Sequence, residues 1–133
     1  MTSLRTVGLV ARFGLAGLAN TVVGFGVIAA LDLGLSVEPR LANAAGYGVG
    51  VLVSFALNRG FVFRSQSTTA QVAPRFVTAV AAAFAVNQAV LWASGAALGP
   101  GVIAHAAAQL AAMASYTILL FLACRFWVFR AAN

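Results

Sequence analysis

The sequence predicts an all-α polytopic membrane protein, with four transmembrane helices arranged as two helical hairpins of a parallel repeat, in a single domain over residues 1–133. Three observations predict it. Four long apolar runs follow one another, in a chain that is 62% hydrophobic and 8% charged. A soluble domain usually carries about 25% charged residues. The charges lie between the runs, and all eight basic residues are arginine. Finally, a ten-residue phrase near the middle of the chain returns near its end.

The first run, Phe13–Leu31, holds 19 residues without a charge, and residues 32–35 extend it past Asp32. Arg5 and Arg12 precede it, as in a signal peptide. The run is longer than a signal core, and no small-residue cleavage site leads into a soluble domain, so it reads as a retained helix over 13–35. The second run, Leu41–Asn58, has 18 residues; the third, Phe76–Gly99, and the fourth, Gly101–Cys124, have 24 each. About 20 residues of helix cross the hydrocarbon core. With no water to bind them, backbone amides in lipid must bond within the helix. The spacing therefore predicts helices over 13–35, 41–58, 76–99 and 101–124.

The connections set the orientation. With both termini and the segment 60–74 on one side, that side carries Arg5, Arg12, Arg59, Arg64, Arg75, Arg125 and Arg130 and no acid. The other side holds Asp32, Glu38 and Arg40. Positive residues mark the cytoplasmic face, so both termini are expected inside.

The phrase 55–64 reads FALNRGFVFR, and 121–130 reads FLACRFWVFR. Five of the ten positions are identical, and Phe61 answers Trp127. Arg12-Phe13 opens the first run as Arg75-Phe76 opens the third. The chain is expected to be two repeats, each entering and leaving at the cytoplasmic face. Arg59 and Arg125 then sit at matching depths, bringing two guanidinium groups toward a common centre. Guanidinium binds phosphate through paired donors, so a lipid phosphate is the expected ligand, with Asn58, Arg12 and Arg75 beside it. Phe61, Phe63, Trp127 and Phe129 are expected in the headgroup zone. Arginines and aromatics at a helix end also serve as simple anchors, and composition alone leaves that reading open.

Polar residues inside the runs suggest a pathway: Asn20 and Thr21, Ser54, Asn87 and Gln88, Gln109 and Tyr116. At a rise of about 1.5 Å per residue, Asn20 lies about 10 Å inside the cytoplasmic end and Asn87 near the midplane. Such residues face the protein interior or a cavity, and they also bond helices together. Ala42, Gly46, Gly50, Ser54 and Asn58 form a column of four-residue steps on the second helix. Small residues at that spacing bring helices close, within the chain or between copies, and a homo-oligomer is expected because four helices make a small cage.

Several chemistries are excluded. Cys124 and His105 are the single cysteine and histidine, so neither a disulfide nor a Cys/His metal cluster is available. No carboxylate lies at mid-helix to orient a base or exchange protons, which leaves no triad and argues against a multidrug-type exporter. Without lysine there is no phosphate-binding loop of the nucleotide-binding kind. The separated arginines form no nucleic-acid surface. The expectation is a protein that is not an enzyme and uses no cofactor or metal.

The opening from Arg12 through Asn20 to Gly24, the phrase from Ser54 through Asn58-Arg59 to Phe63, and the closing Arg125 to Phe129 resemble the GtrA-like family. The resemblance covers about Arg12 to Arg130, in that family's order of four helices. It implies a role in bacterial cell-surface polysaccharide synthesis at the inner membrane. The implied substrate is a polyprenyl-phosphate-linked sugar, flipped from the inner to the outer leaflet among membrane lipids. The alternative implied role is an anchor that recruits a partner glycosyltransferase or synthase.

Overall fold

The computed structural model describes residues 2–130. Its elements are α1 (Thr2–Ala29), a π-helical turn (Ala30–Gly34), α2 (Pro39–Leu57), a second π turn (Asn58–Val62), α3 (Thr69–Leu98), α4 (Val102–Ala123) and a third π turn (Cys124–Val128). Four continuous helical spans, Ser3–Gly34, Pro39–Val62, Thr69–Leu98 and Val102–Val128, are long and apolar enough to cross a bilayer. The chain is a multi-pass membrane protein. It divides into two compact units, Met1–Ser65 and Gln66–Asn133, each a helical hairpin.

The first unit pairs α1 with α2 through small residues. The Gly46 carbonyl oxygen lies 3.7 Å from where a Cβ on Gly24 would stand. A Cβ on Gly46 would overlap the Ile28 side chain and stand 3.1 Å from the Gly24 carbonyl oxygen. Four residues along, the Asn20 amide oxygen lies 3.3 Å from where a Cβ on Gly50 would stand. Both contacts belong to one antiparallel register, which puts Ser54 level with Ala16 and Asn58 level with Arg12. Ala16, Ala42, Gly46 and Gly50 are all buried along this seam. Close backbone approach supplies the van der Waals contact that holds helices together where lipid competes with every apolar side chain.

The second unit repeats the scheme with α3 and α4. Its buried seam runs through Ala79 and Ala83 on α3, and Ala108, Ala112, Leu120, Cys124 and Val128 on the other arm. The buried positions correspond: Ala42 to Ala108, Gly46 to Ala112, Asn58 to Cys124, Val62 to Val128. The internal repeat read from the phrase is therefore also a repeat of packing. The hairpin turns on Gly99-Pro100-Gly101, where φ is 76° at Gly99 and 125° at Gly101. Both angles fall in the region that glycine enters without a Cβ penalty.

Helix boundaries differ from those the sequence suggests. α1 begins at Thr2 and runs through Arg5 and Arg12, because arginine is a good helix former and charge alone does not end a helix. α3 begins at Thr69, seven residues before Phe76, where Thr68 and Gln71 form a reciprocal capping box. Thr68 N–H donates to Gln71 Oε1 at 3.1 Å. Pro74 sits inside α3 rather than in a loop. The cytoplasmic segment expected over 60–74 shrinks to the six residues 63–68.

Replacing Gly46 by valine is expected to destabilise the protein by about 1–3 kcal/mol, as overpacking does. Gly48, with open space where its Cβ would stand, is the control. Its alanine variant should melt no lower than the parent, measured by thermal unfolding in detergent micelles.

Candidate functional site

The repeated phrase is where the helices change winding. α2 passes into the π turn at Asn58, and α4 passes into the matching turn at Cys124. Phe63 N–H donates to Asn58 O at 2.9 Å, and Phe129 N–H donates to Cys124 O at 3.1 Å. A π turn carries an extra residue per bond, so it re-aims the side chains that follow; such turns often occur at functional sites. In both units the arginine is the second residue of the turn, Arg59 and Arg125.

The Asn58–Val62 turn closes with a wider bond. Ser65 N–H donates to Arg59 O at 2.8 Å, and Arg64 takes a left-handed conformation with φ 48°. The hairpin tip of the same unit closes likewise, with Val37 N–H on Leu31 O at 2.9 Å and Ser36 at φ 52°. These are helix C-caps in which one residue turns left-handed so that a later amide can satisfy an open carbonyl. Glycine usually occupies such a position; here it is arginine and serine.

Around the turns the arginines have distinct settings. Arg59 and Arg125 are half-buried. The Arg125 guanidinium lies 5.2 Å from the centroid of the Phe126 ring, within cation–π range. Arg12 is half-buried on α1, level with Asn58 by the helix register. Arg75 is exposed, its Nη1 making a long 3.5 Å contact to the Trp127 carbonyl oxygen.

Phe61 and Trp127 remain exposed, at 42% and 45%. Phe63 is half-buried. Phe129 is only 8% exposed, and its ring centroid stands 6.2 Å from that of Phe76, so it packs the third π turn against α3.

The polar residues divide by unit. In the first, Asn58 is 3% exposed, and its Nδ2 donates to the Ser54 carbonyl oxygen at 2.7 Å and to Ser54 Oγ at 3.2 Å. Its Oδ1 is buried without a partner, and so is Oδ1 of Asn20. Asn20, Gly50, Ser54 and Asn58 thus form a polar strip on the α1–α2 seam. Thr21 does not join it: it is exposed, and its hydroxyl donates to Gly17 O at 2.9 Å within α1. In the second unit, Asn87 is half-buried and Gln88 is exposed, with Gln88 Nε2 donating to Asn87 Oδ1 at 3.1 Å. Gln109 and Tyr116 are half-buried on α4. Within the second unit, a cavity of about 330 Å³ at the Gly99–Gly101 turn is lined by Leu91, Gly95, Ala104, His105 and Ala108 among others.

Sequence reasoning missed the π turns, the left-handed Arg64 and the Asn20–Gly50 contact. The first had a signal in the repeated phrase, which begins each turn with a small side chain and follows it with arginine. The last is visible only once the register of α1 on α2 is known.

The family model described as GtrA/DPMS, transmembrane domain, matches residues 12–129. No curated protein and no solved structure matches the chain.

Replacing Arg64 by glycine relieves a left-handed conformation that costs an L-residue about 1–2 kcal/mol. Glycine is also freer in the unfolded chain, which offsets part of the gain. The variant is expected to melt above the parent by roughly 1 kcal/mol of stability, measured in the same micelles; a lower melting point would contradict the cap.

Proposed function

Because the chain belongs to the GtrA/DPMS transmembrane family, we propose that it translocates a polyprenyl-phosphate-linked sugar across a bacterial inner membrane for cell-surface polysaccharide synthesis. The family ties it to membrane processes that involve polyprenyl-phosphate sugars; translocation is the finer reading. The observation that carries it is the arginine-bearing π turn, built twice on the same packed position. Anchoring alone requires cationic side chains near headgroups. It does not require a buried residue ahead of each arginine, or the same change of helical winding beneath both.

In this proposal both termini and the two arginine-bearing π turns lie at the cytoplasmic face, following the distribution of arginine. Arg59 in the first unit and Arg125 in the second contact lipid phosphate. A guanidinium offers paired donors to the phosphate oxygens and stays charged at every physiological pH. The exposed Phe61 and Trp127 rings sit among headgroups, where amphipathic aromatics settle. The Asn20–Asn58 strip leads from the first turn into the hairpin. Transport is downhill, drawn by consumption of the sugar on the outer side.

The anchor alternative takes its docking surface from the segment after α2 together with the short C-terminal tail. Only six residues, 63–68, separate that turn from α3, and the first two of them belong to the capped end of the turn. This favours translocation.

The test is reconstitution of the purified full chain in liposomes with a fluorescent polyprenyl-phosphate glycoside. Leaflet transfer is read by chemical quenching of the outer label. The parent is expected to equilibrate the label between leaflets. Arg59→Gln and Arg125→Gln are each expected to slow transfer about tenfold or more, the effect of losing a charge-assisted hydrogen bond. Transfer no faster than in protein-free liposomes would overturn translocation and leave the anchor. Transfer at full rate in both variants would remove the arginines from the mechanism.

A further inference from the structure

We infer that the first repeat holds a binding site for sugar hydroxyl groups, made by the amide oxygens of Asn20 and Asn58 with Ser54 between them, and that the second repeat lacks its counterpart. This rests on the reading that the chain carries a glycosylated lipid phosphate, and it assigns the sugar end of that ligand.

The argument starts from hydrogen-bond accounting. Among the described residues, the buried side-chain polar atoms without a hydrogen-bond partner are Asn20 Oδ1 and Asn58 Oδ1. A buried acceptor with no donor is costly, more so where no water enters. Asparagine in a membrane helix commonly bonds to a neighbouring helix. Asn58 does not do so here: both bonds from its Nδ2 return to Ser54 on its own helix. Asn20 directs its oxygen at the bare backbone of Gly50, which offers no side chain to meet it. Neither residue therefore has the partner that a purely adhesive role requires.

Both oxygens belong to the same strip. Gly50, Ser54 and Asn58 are spaced by four residues, so they lie on one face of α2, and Asn20 faces Gly50 from α1. The strip runs about 12 Å along the helix, at a rise of 1.5 Å per residue. Arg59 follows Asn58 directly, so a phosphate at Arg59 places the attached sugar beside the start of the strip.

The chemistry selects the ligand group. Amide oxygens accept hydrogen bonds and donate none. An ionised phosphodiester has only acceptors to offer and cannot satisfy them. Sugar hydroxyls are donors and can.

The two repeats differ in chemical kind at these four positions. Aligned through Arg12 with Arg75 and Phe55 with Phe121, the first repeat has Asn20, Gly50, Ser54 and Asn58. The second has Ala83, Tyr116, Leu120 and Cys124. Ala83, Leu120 and Cys124 are buried in the same seam. The second repeat keeps the arginine and the π turn but has no amide oxygen at any of the four positions.

The variants follow from the repeat itself. Asn20→Ala and Asn58→Cys install in the first repeat what the second already buries at the matching positions, so both are expected to fold. Cys124→Ala in the second repeat is the control. Binding is measured in lipid nanodiscs with two probes, bare polyprenyl phosphate and its monoglucosyl ester. The parent is expected to bind the ester about tenfold more tightly than the bare lipid, the scale of one or two net hydrogen bonds. Asn20→Ala and Asn58→Cys should lose that preference and keep their affinity for the bare lipid. Cys124→Ala should retain it. Asn58→Cys should also melt no lower than the parent, where an adhesive asparagine would lower the melting point. A preference that survives in both asparagine variants, or its absence in the parent, overturns the site while leaving phosphate binding intact. A parent that binds neither lipid overturns the transport proposal, and this inference with it.

Discussion

The constraint on which the rest depends is the lack of water in the bilayer core. There, apolar side chains gain nothing by meeting each other rather than lipid, and every backbone amide must be satisfied locally. Helices answer the second demand. The first leaves close backbone approach as the main source of cohesion, which is why small residues recur at every fourth position of α2 and of the first half of α4. Gly24 against Gly46 and Asn20 against Gly50 show how near α1 and α2 come. The seam then decides what can be placed on it. A side chain that would sit harmlessly in lipid becomes buried, and a polar one must find a partner.

From this follows the role of the π turns. A straight α-helix would carry the four-residue column of α2 past Asn58 into the headgroup region unchanged. The π turn keeps Asn58 and Val62 on the seam while shifting the residues between and after them. Arg59 is thereby half-buried beside the seam, with Phe61 outward. The same turn in the second unit buries Cys124 and Val128 and takes Phe129 in against Phe76. In each unit this backbone device combines a packed helix end with an arginine at the second position of the turn.

Much of this was legible in the sequence. The four spans, the two hairpins and the repeat are written in long apolar runs and in the match of residues 55–64 with 121–130, because length and patterning suffice to identify helices in lipid. Helix ends were not legible. Arg5 and Arg12 read as flanks, yet they lie within α1, since a helix continues through charge when its propensity allows. The capping box at Thr68 and Gln71 was a local signal, and it drew α3 back through Pro74. Of the site residues, Asn58 and Arg59 stood out by repetition. The exposure of Thr21 and the packing of Phe129 on Phe76 were not legible, because side-chain direction depends on register and winding, which periodicity does not carry. The orphaned oxygens of Asn20 and Asn58 belong to that same class, since they are properties of packing and not of composition.

The account centres on the turn at Asn58–Val62 as the place where the lipid headgroup is held. A solved structure of the full chain in a nanodisc, with a polyprenyl-phosphate glycoside bound, tests this most directly. Phosphorus density within hydrogen-bond distance of the Arg59 guanidinium, with the sugar extending along the face of Ser54 toward Asn20, is the predicted result. Density for the headgroup at the Gly99–Gly101 tip, or for a lipid lying on the outer face of α1 with the Asn58 turn bare, would contradict it.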